Sequence, residues 1–292
     1  MVDVTTTRSW VRGLAANLER DAAEEGVATR LAWGAFWAPL VGIVFFGVLY
    51  VVVRSAYYWL LREDHVIEWT QFFLLVVAVA FSVLGAIAAL RRGDRLTGAF
   101  LVVVAIGTLF LAGEEISWGQ RILGLAAEVG GNRQGELNIH NIDDADGIPV
   151  EKLFRVAEAA IGFVGAVLPF LVRWRPARLH GAAWRVITPP IFLATGFLVV
   201  LGFRAQRLLV PLEIPAVIVI QEWAELCLYG ALAAWVMLIW TDMSGRRRAD
   251  AGGTPLRAGA DRVTVVIAAA AAVLTVVCIV LTMASGIDPG NV

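Results

Sequence analysis

Apolar residues run through this chain in unbroken blocks, each closed by a short cluster of charges or by Gly and Pro. "VIEWTQFFLLVVAVAFSVLGAIAAL" followed by "RRGDR" is typical. Seven blocks can be drawn, roughly 33–61, 66–90, 96–124, 152–173, 186–204, 213–241 and 263–285. A helix needs about 20 apolar residues to cross ~30 Å of hydrocarbon, and every block is near or above that length. The pattern predicts an all-α, polytopic membrane helical bundle of about seven transmembrane helices. Several blocks are long enough to require tilt or protrusion. The fifth is the shortest and opens on Pro189 and Pro190.

The blocks divide the chain. Residues 1–32 are a polar leading segment, 33–285 the transmembrane domain and 286–292 a short tail. Two long connections interrupt the domain, a polar loop at 125–151 and a basic linker at 242–262. Residues 1–30 do not read as a secretory signal, so the first block is expected to act as an uncleaved anchor. Within the leading segment, Trp10, Leu14 and Leu18 follow helical spacing among Arg and Glu over residues 9–30. That predicts an amphipathic helix, either lying on the membrane surface or solvated.

Arginine placement gives the orientation. The leading segment and the second, fourth and sixth connections hold sixteen Arg; the other side holds seven basic residues, including the only Lys, Lys152. The positive-inside rule then puts the N terminus in the cytoplasm and the C terminus outside, as expected for a multi-pass protein of a bacterial inner membrane. Composition agrees with the membrane reading. The chain is 59% hydrophobic with a mean hydropathy of +0.74, against about 45–50% apolar in soluble domains. The net charge of −1 offers no field for nucleic acid. Cys227 and Cys278 both lie inside apolar blocks, without disulfide or metal spacing.

Polar residues that breach the blocks gather on the predicted outer side. The second block opens on "EDHVIEWTQ", with Asp64, Glu68 and Gln71 on one helix face. The third closes on "GEEISWGQR", after the uncharged run Gly98 to Ala112. Glu114, Ser117 and Arg121 fall at i, i+3 and i+7 on the third helix, so Glu114 can face the bundle with Arg121 above it, while Glu115 points about 100° away. Glu151, Arg155 and Glu158 open the fourth block, Arg204 and Arg207 close the fifth, and Glu213, Glu222 and Glu225 enter with the sixth. Glu114 and Glu225 both lie sixteen residues from the cytoplasmic end of their spans, about 24 Å at 1.5 Å per residue. Charged groups at such depth face a bundle interior, a wet cavity or a partner. Trp69, Trp118 and Trp223 also suit interfacial anchoring.

The loop after the third block, "GGNRQGELNIHNIDDADGIP", is amide-rich and carries His140. Loops of that length are often lids or binding loops. It is expected to fold over the polar layer and bring His140 toward Glu114. "DDADG" fails as a calcium loop: with Gly147 at the glycine position, the first ligand falls on Ile142 and the twelfth on Leu153.

Together, "EDHVIEW", "GEEISWGQRILG" and "NRQGELNIHN" resemble motifs of a family of uncharacterised bacterial multi-pass membrane proteins. The resemblance covers residues 63–142 and implies a membrane fold without an activity. The seven-span pattern also resembles that of the ceramidase-like membrane hydrolases, but their histidine pair on a late helix has no counterpart here, because the sixth and seventh blocks lack histidine.

Three function classes accommodate the polar layer. In the first, it is the site of a metal-assisted hydrolase or transferase acting on a lipid or lipid-linked substrate. Glu114, His140 and Glu222 are then the catalytic candidates, and Glu114, Glu222, Glu225 and His140 the ligands for a divalent metal. Oxygen-rich sets suit Mg, Ca or Mn, and a histidine beside a carboxylate titrates near neutral pH. Arg121, Arg204 and Arg207 would hold a phosphate, with Glu68 and Trp118 lining the substrate. In the second class the same residues bind a ligand or an assembly partner without chemistry. The third is a proton- or cation-coupled transporter, disfavoured because the cytoplasmic halves of the spans are nearly free of polar residues. The bland reading also stands: interfacial Glu–Arg pairs that lock the bundle.

Overall fold

The computed structural model describes residues 4–62, 65–119, 122, 150–174, 186–250 and 257–285. Ten α-helices are described: α1 (Val4–Glu24), α2 (Thr29–Val52), α3 (Arg54–Leu60), α4 (Val66–Arg91), α5 (Arg95–Glu115), α6 (Val150–Trp174), α7 (Ala194–Leu209), α8 (Pro215–Val219), α9 (Gln221–Asp250) and α10 (Arg257–Ser285). A 3-10 turn, Ile191–Leu193, leads into α7. No strand occurs among the described residues. Seven segments are long and apolar enough to cross a membrane: α2, α4, α5, α6, the turn with α7, α8 with α9, and α10. The protein is a membrane helical bundle.

Each predicted block contains one span, but four boundaries move. The first span stops at Val52, because Val53 leaves the helical region (φ −138°, ψ 72°) and α3 restarts the chain in a new direction. α3 is aromatic: Tyr57 meets Tyr50 and Tyr58 edge-on, and Arg54 lies over the rings of Tyr50 and Tyr58. The Tyr57 hydroxyl donates to the Ala216 carbonyl, and burial pushes it up to about 12. The third span ends at Glu115, well short of 124. The fifth runs on to Leu209, past the expected 204. At the other end of the chain, α9 continues to Asp250 and α10 begins at Arg257, so helix replaces most of the expected 242–262 linker.

α4 and α9 are the centre. α4 packs against α5, α9 and α10; α9 also packs against α7, which in turn packs against α6 and α2. Lipid tails are as apolar as leucine, so close approach and packing, not water exclusion, hold such helices together. Small residues provide the approach. A Cβ at Gly196 would stand 2.9 Å from the Cys227 carbonyl oxygen, and one at Gly162 would stand 3.0 Å from the Leu201 nitrogen. Between α4, α5 and α9, an apolar plug of Ala78, Phe81, Ala86, Leu101, Ala233, Val236 and Trp240 fills the half nearer the α4–α5 connection. That connection is a tight turn. Gly93 takes the left-handed conformation (φ 76°) that stops α4, and Asp94 caps α5 by accepting from the Thr97 amide at 3.1 Å.

α1 packs against α2 and the turn before α7, with Leu18 and Ala22 fully buried. Leu14, Leu18 and Ala22 of its apolar stripe pack into the core cluster; the side chain of Trp10 lies outside the described residues. Asp21, also buried, accepts a 2.7 Å hydrogen bond from the Ile191 amide and pairs with Arg173, which also reaches Glu24 at 3.1 Å. The Ile191 amide is one of the donors a helix start leaves without an internal partner; here an acid from another helix satisfies it.

Candidate functional site

The start of α4, the end of α5, the start of α6, the end of α7 and the start of α9 all lie at the end of the bundle away from α1. Two polar constellations form there.

The first is an ion triad. Arg204 on α7 is 2% exposed, and its Nε stands 2.5 Å from Glu158 Oε2 on α6. Its Nη2 pairs with Glu225 Oε1 on α9, an oxygen that also accepts from Gln221 Nε2 at 2.8 Å. One planar guanidinium thus ties three helices. Its fork can hold two carboxylates in fixed directions, which an ammonium cannot. A charge this deep is retained only when paired.

The second is a carboxylate layer around the end of α5. Glu115 lies within electrostatic reach of Glu68 on α4 and of Glu222 and Glu225 on α9, and it hydrogen-bonds the buried Tyr229 hydroxyl. Gln71, one turn deeper than Glu68, is fully buried. Its Nε2 donates to the Glu222 carbonyl at 2.7 Å and to Glu222 Oε2 at 3.3 Å, while its Oε1 is buried without a hydrogen-bond partner.

The residue that joins this layer from α5 is Glu115; Glu114 is tied to Trp118. Glu114 is buried at 3% exposure and accepts a 2.5 Å hydrogen bond from Trp118 Nε1. The expected Glu114–Ser117–Arg121 face presumes a right-handed helix through residue 124. The chain instead passes through Ser117 (φ 48°), Trp118 (φ 52°) and Gly119 (φ 79°), three consecutive left-handed residues. Two of them are not glycine, so the turn is strained. It folds the Trp118 ring back over Gly113 and edge-on to Phe110. Trp118 is half-exposed, and its indole is tied to Glu114.

Glu68, Glu222 and Glu225 are brought together, and Arg204 stands on Glu225. Arg207 lies one turn beyond Arg204; its Nη1 is 3.9 Å from the exposed Glu213, and its Nε and Nη1 are buried without a hydrogen-bond partner. Arg121, His140 and residues 123–149 lie outside the described residues, as do Glu63 and Asp64. Among the described residues, no three of His, Cys, Asp and Glu sit closely enough to hold one metal ion. The proposed set of Glu114, Glu222, Glu225 and His140 would have to be completed from the undescribed loop, and Glu114 faces Trp118.

Sequence reasoning did not single out Glu115, Tyr229 or the unpartnered oxygen of Gln71. Tyr229 had a signal, since Glu222, Glu225 and Tyr229 fall at i, i+3 and i+7 on one helix face. Comparisons with protein-family models, with curated proteins and with solved structures return no match for this chain.

Proposed function

We propose that this protein is a bacterial inner-membrane protein with a cytoplasmic N terminus, and that it binds a polar ligand at its extracytoplasmic end, in the layer formed by Glu68, Glu115, Glu222, Glu225, Arg204 and Tyr229. The observation that carries the reading is the placement of Glu115. Three helices spend carboxylates on one spot of an otherwise apolar bundle, where each charge is costly unless it faces a partner or a wet space. The arginine asymmetry turns that spot outward. The apolar plug of Phe81, Leu101, Val236 and Trp240 fills the other half, which favours a dead-end site over a conducting path.

A second reading is catalysis at the same place, on a lipid or lipid-linked substrate, with or without a divalent metal. The hydrogen-bonded pair Tyr229–Glu115 favours it, because a hydroxyl beside a carboxylate can pass a proton to a bound group.

The test is accessibility. In a Cys227→Ala/Cys278→Ala background, Glu222→Cys should react with a membrane-impermeant thiol reagent in intact spheroplasts and stay unreactive in inside-out vesicles. Reaction only from the cytoplasmic face, or none in either preparation, removes the outward site.

A further inference from the structure

Gln71 holds a buried acceptor at the centre of this layer. Its amide cannot be reversed without turning the carbonyl oxygen onto the Glu222 carbonyl and carboxylate, so Oε1 is held as an acceptor. It is buried, unpartnered, and part of the same amide that touches Glu222. The carboxylates of Glu115, Glu222 and Glu225 are acceptors as well when ionised. The donors at this point are already engaged, Gln71 Nε2 on Glu222, Gln221 Nε2 and Arg204 on Glu225, and the Tyr229 hydroxyl on Glu115, whereas Gln71 Oε1 has none. Among the described residues the acids stand too far apart to ligate one bare ion. A primary ammonium on an organic body fits such a spread. It carries positive charge and three N–H donors that point in different directions.

Arg207 offers the complementary group. Arg204 is used up by Glu158 and Glu225. Arg207 is not: its Nε and Nη1 are buried without a hydrogen bond, and Glu213, at 3.9 Å, is 77% exposed and screened by water. Three residues along α7 place Arg207 about 4.5 Å nearer the membrane surface than Arg204, on much the same face. A guanidinium fork in that position suits a phosphate. Arg204 links Arg207 to the carboxylate layer, because it pairs with Glu225, which lies within electrostatic reach of Glu115.

We propose that the ligand is a phosphorylated primary amine, with its ammonium among Gln71 Oε1, Glu115 and Glu222 and its phosphate on Arg207. A phosphoethanolamine group is the simplest case, free or as a lipid head group. This inference rests on the outward polar site proposed above and names its ligand.

The experiment uses the full-length protein in detergent and reads binding calorimetrically. Probes are O-phosphoethanolamine, phosphocholine, ethanolamine, inorganic phosphate and dihexanoyl-phosphatidylethanolamine. O-phosphoethanolamine should bind at least tenfold more tightly than phosphocholine, which has charge but no N–H donor, and more tightly than ethanolamine or phosphate alone. Arg207→Gln should remove the preference for O-phosphoethanolamine over ethanolamine. Gln71→Leu should weaken both amines about tenfold, as expected for one hydrogen bond to a charged group. Gln71→Asn, which shortens the side chain but keeps the amide, serves if the leucine variant does not fold. The lipid probe binding more tightly than the free one assigns a lipid head group; equal binding assigns a soluble phosphoamine. Equal affinity for phosphocholine and O-phosphoethanolamine overturns the proposal. So does a folded protein that binds no amine while Glu222→Cys still reacts from outside, and in that case the outward site survives and only its ligand is wrong.

Discussion

Replacing Arg204 by Met should be the most damaging single substitution at the polar end of the bundle. The guanidinium is 2% exposed and contacts two carboxylates, Glu158 and Glu225, that are themselves buried. Removing one partner of a buried pair typically costs about 3–5 kcal/mol, because it leaves a charge without compensation. At about 1.4 kcal/mol per tenfold, the folded-to-unfolded ratio should fall by roughly two to nearly four orders of magnitude. Arg204→Lys should recover only part of this, since an ammonium cannot reproduce two divergent N–H directions. The triple variant Arg204→Met/Glu158→Gln/Glu225→Gln should recover more than Lys, because exchanging a whole buried ionic group for neutral ones is often nearly neutral. The assay is reversible unfolding by SDS in mixed micelles, followed by tryptophan fluorescence. If Arg204→Met unfolds at the wild-type SDS fraction, or if the triple variant is weaker than the single one, the ion triad does not tie α6, α7 and α9.

Three further outcomes follow from the packing and topology. Gly196→Ala should destabilise by about 1–3 kcal/mol, because its Cβ would press on the Cys227 carbonyl; in the same SDS titration, a wild-type midpoint would mean that α7 and α9 are not in close contact. Asp21→Ala should free α1 and expose it to limited proteolysis, at a cost of about 1.5–3 kcal/mol for the lost charged hydrogen bond to the Ile191 amide. Asp21→Asn, which still accepts that bond, should stay closer to wild type. A reporter fused after residue 250 should read cytoplasm and one fused after Val292 should read outside; a cytoplasmic C terminus would break the orientation drawn from arginine placement.

What the sequence disclosed depended on how local the cause was. Seven spans are legible because each apolar run alone is long enough to cross a bilayer, whatever its neighbours do. The α4–α5 connection is legible for the same reason: "RRGDR" contains its own stop at Gly93 and its own cap at Asp94. The choice between Glu114 and Glu115 was not legible from helical periodicity, which holds only while the helix lasts. Ile116 ends it, and the left-handed passage through Ser117, Trp118 and Gly119 replaces the i+3 and i+7 relations. The left-handed residue that follows the Ile116 cap is Ser117, not a glycine, so the usual glycine termination signal is missing at the helix end. The triad was hidden differently. Glu158 and Arg204 are visible as charges in apolar runs, but their pairing requires knowing that α6 and α7 touch. The α1 stripe reads the same on lipid, in water or against protein; only the bundle shows which surface covers it.

The decisive contact of the proposed site is that of Glu115 with the carboxylates of α4 and α9. Cysteine pairs test this most directly. In the Cys227→Ala/Cys278→Ala background, Glu115→Cys/Glu222→Cys and Glu114→Cys/Glu222→Cys would each be treated with a short bis-thiosulfonate linker and their protease fragments compared. The account predicts efficient cross-linking of the 115–222 pair and little of the 114–222 pair. Efficient cross-linking of 114–222 with none at 115–222 would contradict it.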